Sequence, residues 1–169
     1  RRIDIRSRYS GRGISLTRSR VTSSFSAKEI QLPSNDDAFN ELCYYTLSHG
    51  GSDFIHQHIV DAYGAQVAAP DDKPIRLVFS LIGLYLHIER GFTGRQVQWA
   101  HMKLAREKRP WPVLDIPGNR GAIDAAAVLA VAIDDRDLMI DEWCRSVWKA
   151  FKGNCERIER LLDEFGITD

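Results

Sequence analysis

The residues of this chain best suited to chemistry are three histidines, His58, His87 and His101, spread over three different segments. His58 and Asp61 are three apart, so on a helix their side chains can meet. A carboxylate beside an imidazole orients the ring and raises its basicity, an arrangement that serves both metal ligands and general bases. His87 comes from a strongly apolar segment. His101 lies four after Val97 and three before Leu104, so it too leans inward. Three inward imidazoles and one carboxylate match the ligand set of a mononuclear zinc or nickel site. The chain has no HxxxH pair and no HExxH motif, however. The spacing therefore favours imidazoles that satisfy carbonyls and hydroxyls inside a polar core. In either case the edge of the helix carrying His58 and Asp61 must face the protein's middle.

Other chemistries have weaker support. Ser80 has no GxSxG around it, and no GxGxxG or Walker pattern occurs. Cys144 stands beside Trp143, Val147 and Trp148, an apolar setting that raises a thiol pKa and makes it inert. Arg95, Trp99, Lys103 and Arg106 lie near one helical stripe, followed by Lys108 and Arg109. Such a row can hold phosphates or stack a base, but a solvated face with lysine stems along an edge explains it more simply. Glu89 and Glu107, near helix ends beside arginines, are expected to be solvated ion pairs of little energetic value.

The elements that must position these groups read as helix after helix. Asp36 to Ser48 is predicted helical, with Ser34 or Asn35 as cap and an apolar stripe of Phe39, Leu42, Cys43 and Leu47. A second helix is predicted from Ser52, as cap, to about Ala68; Ile55, Ile59, Ala62 and Gln66 form its buried stripe. The third runs from Asp72-Lys73-Pro74 to Gly91. It is apolar nearly all round, the mark of a central helix. Its Ser80, Gly83 and His87 form a row that lets a neighbour approach closely. Thr93 and Gln96 open a fourth helix as a capping box, and it ends before Pro110. Residues 110–121 form a long Pro-rich loop, a length usually found in functional loops or lids. Asp124 caps a short Ala-rich helix ending near Ala132. A last helix is predicted from Asp135 to Phe165, with Gly153-Asn154 as a kink and Gly166 as its stop.

The fold class expected is all-α: a helical bundle of four main helices plus short helices, with no strand-period alternation. Residues 31–169 form the single helical domain. Residues 1–30 are expected to be a disordered basic tail, being Arg-, Ser- and Gly-rich and poor in apolar side chains. Such a leader can also act as a transit peptide or a nucleic-acid arm, but an uninformative extension is the simpler reading.

Composition bounds the rest. The chain has 169 residues, 44% of them apolar and 27% charged, which suits one globular domain. No apolar run approaches a membrane span. Three cysteines make no CxxC pair, so neither a Cys-only zinc site nor a disulfide framework is indicated, and a cytoplasmic address follows. Twenty-three basic and twenty-three acidic residues cancel, but residues 1–30 carry eight basic against two acidic groups, and the remainder fifteen against twenty-one. A net-acidic folded part has the wrong sign for nucleic acid.

The segment from about Phe39 to Leu162 resembles a bacterial family of small all-helical proteins of unknown function. The resemblance is carried by Asn40-Glu-Leu-Cys-Tyr-Tyr-Thr-Leu47, by His58-Ile-Val-Asp61-Ala62-Tyr63 ending in Gln66, and by Leu81 to Gly91. The Trp111-Pro112 loop, Arg120-Gly121 and Trp143-Cys-Arg-Ser146-Val-Trp148 complete it. Many members also begin with a paired-cysteine segment like a zinc knuckle, which this sequence lacks. The resemblance implies the helical fold and no activity. On fold class and histidine count alone, the chain is also similar to DinB-like four-helix metalloproteins, which implies a metal-dependent hydrolase or transferase using His58, His87 and His101.

The first expectation is a domain that binds a small molecule or a protein partner. Its polar pocket is formed by His58, Asp61, Gln66 and His87, with the Trp111 loop as cover. The second is an enzyme with a divalent metal on the three histidines. The third is an oligomerising bundle, including a homo-oligomer, which exposed Trp or Tyr on two helix faces would favour.

Overall fold

Helix boundaries in this protein are set by short-range chemistry. In the computed structural model the described residues are 34–167, with Gly50, Ser52 and Glu107 excepted. The expected tail at 1–30 and the expected roles of Ser52 and Glu107 fall outside them. Helix α1 spans Asn35–Ser48, and the Ser34 hydroxyl accepts from the Asp37 amide at 3.1 Å. Helix α3, Pro74–Arg90, opens on proline and closes on Gly91 at φ 69°, where a Cβ would be strained. Helix α4, Gly94–Leu104, carries the full capping box of Thr93 and Gln96. Helix α5, Ala125–Ala130, is capped by the Asp124 carboxylate.

Two boundaries differ from those expected. Helix α2 spans His56–Gln66 and so begins later than Ser52 implied. Phe54 sits at φ 51°, which no α-helix passes through, so the helix starts only after it. That turn docks on the start of α4. The Arg95 amide donates to the Asp53 carbonyl at 3.1 Å, and a Cβ on Gly94 would stand 1.9 Å from the Phe54 carbonyl oxygen. The long C-terminal helix is divided into α6, Arg136–Phe151, and α7, Cys155–Glu164, by a 3-10 turn at Lys152–Asn154. Asn154 explains the break. Its side chain is buried and bonds both the amide and the carbonyl of Asp115 at 3.0 Å, pinning the long loop.

No strand occurs among the described residues, and the all-α expectation holds. Helix α3 is the packing centre, touching α2, α4, α6 and α7. Leu81, Ile82, Leu84 and Leu86 on α3 are buried with Ile59 of α2, Trp143 and Phe151 of α6, and Ile158 of α7. Each such side chain contributes roughly 1.5–3 kcal/mol by leaving water. Helix α1 joins α2 through Phe39 and Tyr63, whose rings stack at 3.8 Å, with the Tyr63 hydroxyl on Asp36.

The α2–α3 contact is an antiparallel seam of three matched pairs. A Cβ on Gly64 would come within 2.5 Å of Ser80 Oγ, and one on Gly83 within 1.9 Å of Asp61 Oδ2. One turn further, the rings of His58 and His87 stack at 3.7 Å with 22° between planes. The row Ser80–Gly83–His87 expected to admit a close neighbour therefore admits α2.

Candidate functional site

Helix α2 turns its His58 and Asp61 edge inward: the two are 6% and 3% exposed. They do not bond each other. Asp61 Oδ1 accepts from Gln57 Nε2 at 3.1 Å, one turn back on the same helix. Asp61 Oδ2 rests on Gly83 and His58 Nδ1 lies buried, and neither atom has a hydrogen-bond partner. The expected orienting pair is thus absent. Asp61 is not beside the ring; it is pressed onto the glycine.

The carboxylate that does orient an imidazole is Asp141, from α6. His87 Nε2 donates to Asp141 Oδ1 at 2.9 Å, and His87 Nδ1 lies 3.3 Å from the Phe92 carbonyl. Asp141 Oδ2 in turn accepts from Arg145 Nε at 2.8 Å. The result is a chain Arg145–Asp141–His87, with the His58 ring laid face-on against His87. Burial pushes the His58 imidazole down to about 3; His87 adds to that shift and Asp141 opposes it. Burial therefore keeps the His58 ring neutral. Both histidines and Asp141 line a cavity of about 360 Å³ bounded also by Phe92, Ile140 and Arg145.

The remaining expected site residues lie elsewhere. Gln66 is inward, but its amide is fully used. Nε2 donates to the carbonyls of Arg120 (3.2 Å) and Ile123 (2.8 Å), and Oε1 accepts from Trp143 Nε1 at 2.8 Å. Arg120 returns a bond to the Gln66 carbonyl at 2.7 Å. Gln66 is a staple for the loop, with nothing left for a ligand. Trp111 is not above the histidines. It packs edge-on to Phe79 and stacks on Phe165. Its loop is held at Asp115, Arg120, Ala122 and Ile123 and so lies fixed along the protein, not as a cover for His58.

His101 bonds the Phe79 carbonyl through Nε2 at 3.0 Å, and burial pushes it down to about 4. It does not converge with His58 and His87. Among the described residues no three His, Cys, Asp or Glu side chains stand together as a metal would need. The residues present do not fit a zinc or nickel centre. The reason is visible in the bonds: His87 and His101 direct ring nitrogens at protein acceptors.

Sequence reasoning missed Asp141 and Arg145. Their spacing, Asp four before Arg on a helix, marks an ion pair but not its third member. It also undervalued Glu89, whose carboxylate accepts from Trp148 Nε1 at 2.6 Å and from Lys152; the Lys152 bond, then that of Trp148, holds it below the usual carboxylate range. Cys144 is buried as expected, its thiol pushed up by burial, and it points at the His58 carbonyl at 3.6 Å. On α4, Arg95 lies over the Phe54 ring at 4.7 Å and Lys103 donates to the Gly166 carbonyl, so part of the cationic row serves the fold. Trp99 on α4 and Tyr44 on α1 are 63% and 76% exposed.

Acid stability follows from these shifts. The unfolded chain protonates His58 and His101 below their ordinary 6.5, while the folded chain refuses those protons until about 3 and 4, so both histidines lose stability as pH falls through that window. Asp61 acts oppositely. Burial raises its pKa, so the folded state keeps a proton that the unfolded state has released, and stability is lost as pH rises above 3.8. Asp61→Asn should therefore steepen the rise of stability between about pH 5 and 6 by ~1.4 kcal/mol per pH unit and leave the protein more stable at neutral pH. Urea unfolding of both proteins across that range checks it, and parallel curves would refute the buried-proton account.

Residues 26–152 match the family of unknown function DUF5946. The chain belongs to this family. No curated protein and no solved structure matches it. The DUF5946 match covers α1 to α6, including both stacked histidines, Asp141 and the fixed loop; α7 lies beyond it. No helix among the described residues of this DUF5946 member is long and apolar enough to cross a membrane.

Proposed function

We propose that this protein binds a small polar molecule in the cavity walled by His58, His87 and Asp141. The observation that carries the reading is the stacked imidazole pair, with one ring keyed to a carboxylate and the other neutral, on the wall of an open cavity of about 360 Å³. Small-molecule sites have this size and this mixture of apolar wall and a few fixed polar groups. Burying the His58 imidazole without a partner for Nδ1 costs desolvation energy that a purely structural core would avoid with an apolar residue. Gln66 and Trp111 have no part in it, and no metal enters the reading.

The test is a screen of small polar fragments against the full chain labelled at histidine rings, read by NMR. Saturable shifts of the His58 and His87 signals are expected for at least one fragment class, weakened about tenfold or more in Asp141→Asn. Fragments that bind only elsewhere, or none that bind, would remove the proposal. A second reading, self-association, is favoured by the exposed Tyr44 and Trp99 on two helices. The rotational correlation time of the same sample decides it.

A further inference from the structure

The loop expected to cover the histidines borders a different, open cavity. Trp111 forms one wall of a space of about 520 Å³, and the Arg157–Arg160 face of α7 forms the other, with Arg109 and Glu164 at its margin. No residue lines both this space and the histidine cavity. Three guanidinium groups and one carboxylate line it, although residues 31–169 carry fifteen basic against twenty-one acidic groups. A cavity opposite in sign to the body around it concentrates anions.

The three arginines are unequally committed. Arg109 is occupied: Nη1 meets Glu164 Oε2 at 2.9 Å and its guanidinium lies over the Phe165 ring at 5.1 Å. Arg157 reaches Asp115 Oδ2 at 3.2 Å, but that carboxylate is 75% exposed, and such a pair is worth little in water. Arg160 gives only its Nε–H, to the Glu156 carbonyl at 3.2 Å, so both terminal amino groups of its fork are unengaged among the described residues. A guanidinium fork matches phosphate in a paired, planar geometry. Trp111 is held rigidly, edge-on to Phe79 at 5.2 Å and stacked on Phe165 at 6.0 Å, and its half-buried indole keeps surface for the cavity. Indole surface recognises flat rings of any sequence or substituent.

We propose that this cavity binds a mononucleotide-sized ligand, a flat aromatic ring bearing one phosphate, with Arg157 and Arg160 on the phosphate and Trp111 against the ring. The volume suits such a ligand. The test follows the Trp111 indole N–H of the full-length protein by NMR, identified through Trp111→Phe. AMP, UMP and FMN are titrated to millimolar concentration, with adenosine and inorganic phosphate as half-ligands. At least one nucleotide is expected to shift the signal saturably, about tenfold more weakly in Arg160→Gln and no differently in the distant control Arg95→Gln. No saturable shift from any of the three nucleotides overturns the proposal. So does a shift that survives Arg157→Gln combined with Arg160→Gln, or adenosine binding as tightly as AMP. Inorganic phosphate producing the same saturable shift alone means an adventitious ion only, and also overturns it.

Discussion

Gly83→Ala is expected to destabilise the protein by about 3 kcal/mol or more. The new Cβ would lie 1.9 Å from Asp61 Oδ2 and 2.4 Å from its Cγ, in a fully closed seam. Asp61 cannot retreat, because its other oxygen is held by Gln57 and it is buried on all sides. Either α2 and α3 separate or the carboxyl leaves its place, and both expose apolar surface. The same change at Gly64 or Gly153 is far milder. A Cβ on Gly64 meets only the Ser80 hydroxyl, at 2.5 Å, which can rotate away, and one on Gly153 meets nothing. The decisive measurement is a denaturation cycle with Asp61→Ala, which empties the space the methyl needs. The double variant should be more stable than Gly83→Ala alone. If the two losses simply add, the clash is not the cause.

Gln66→Ala should cost about 2–4 kcal/mol, although the side chain touches no ligand. It abandons three partners at once, the Trp143 indole N–H and the carbonyls of Arg120 and Ile123, and Trp143 is completely buried. Its effect should also have an address. Backbone amides near residues 120–123 should exchange with deuterium faster than those near Asp115, where Asn154 still holds the loop. Uniformly faster exchange, or none, would show that the carboxamide is not the local fastener the geometry describes.

These two residues show which parts of the protein were readable in advance. Local rules worked wherever the partner is local. Ser34, Thr93, Asp124 and Gly91 end their helices as the sequence suggested because a cap needs only its own three or four neighbours. The inward setting of His58, Asp61 and Gln66 was also readable, because helical period fixes direction. What each inward group meets was not. The i,i+3 spacing allowed His58 and Asp61 to touch, but Gln57 and the bare backbone of Gly83 claimed the carboxyl instead. His87 found its carboxylate 54 residues away on α6, a pairing that no short pattern records. Trp111 was misplaced for the same reason, because the route of a loop depends on long-range packing, whereas His101 leans inward onto the Phe79 carbonyl as a polar-core histidine should. Phe54 delayed α2 through a backbone angle that residue type does not announce.

The stacked histidines have one further consequence. With their centroids 3.7 Å apart and 22° between their planes, each ring sits in the magnetic shielding cone of the other. The carbon-bound protons of both imidazoles must resonate away from those of ordinary histidines. Any sliding of one helix along the other would move them back, so the molecule carries its own gauge of how tightly these two rods are joined.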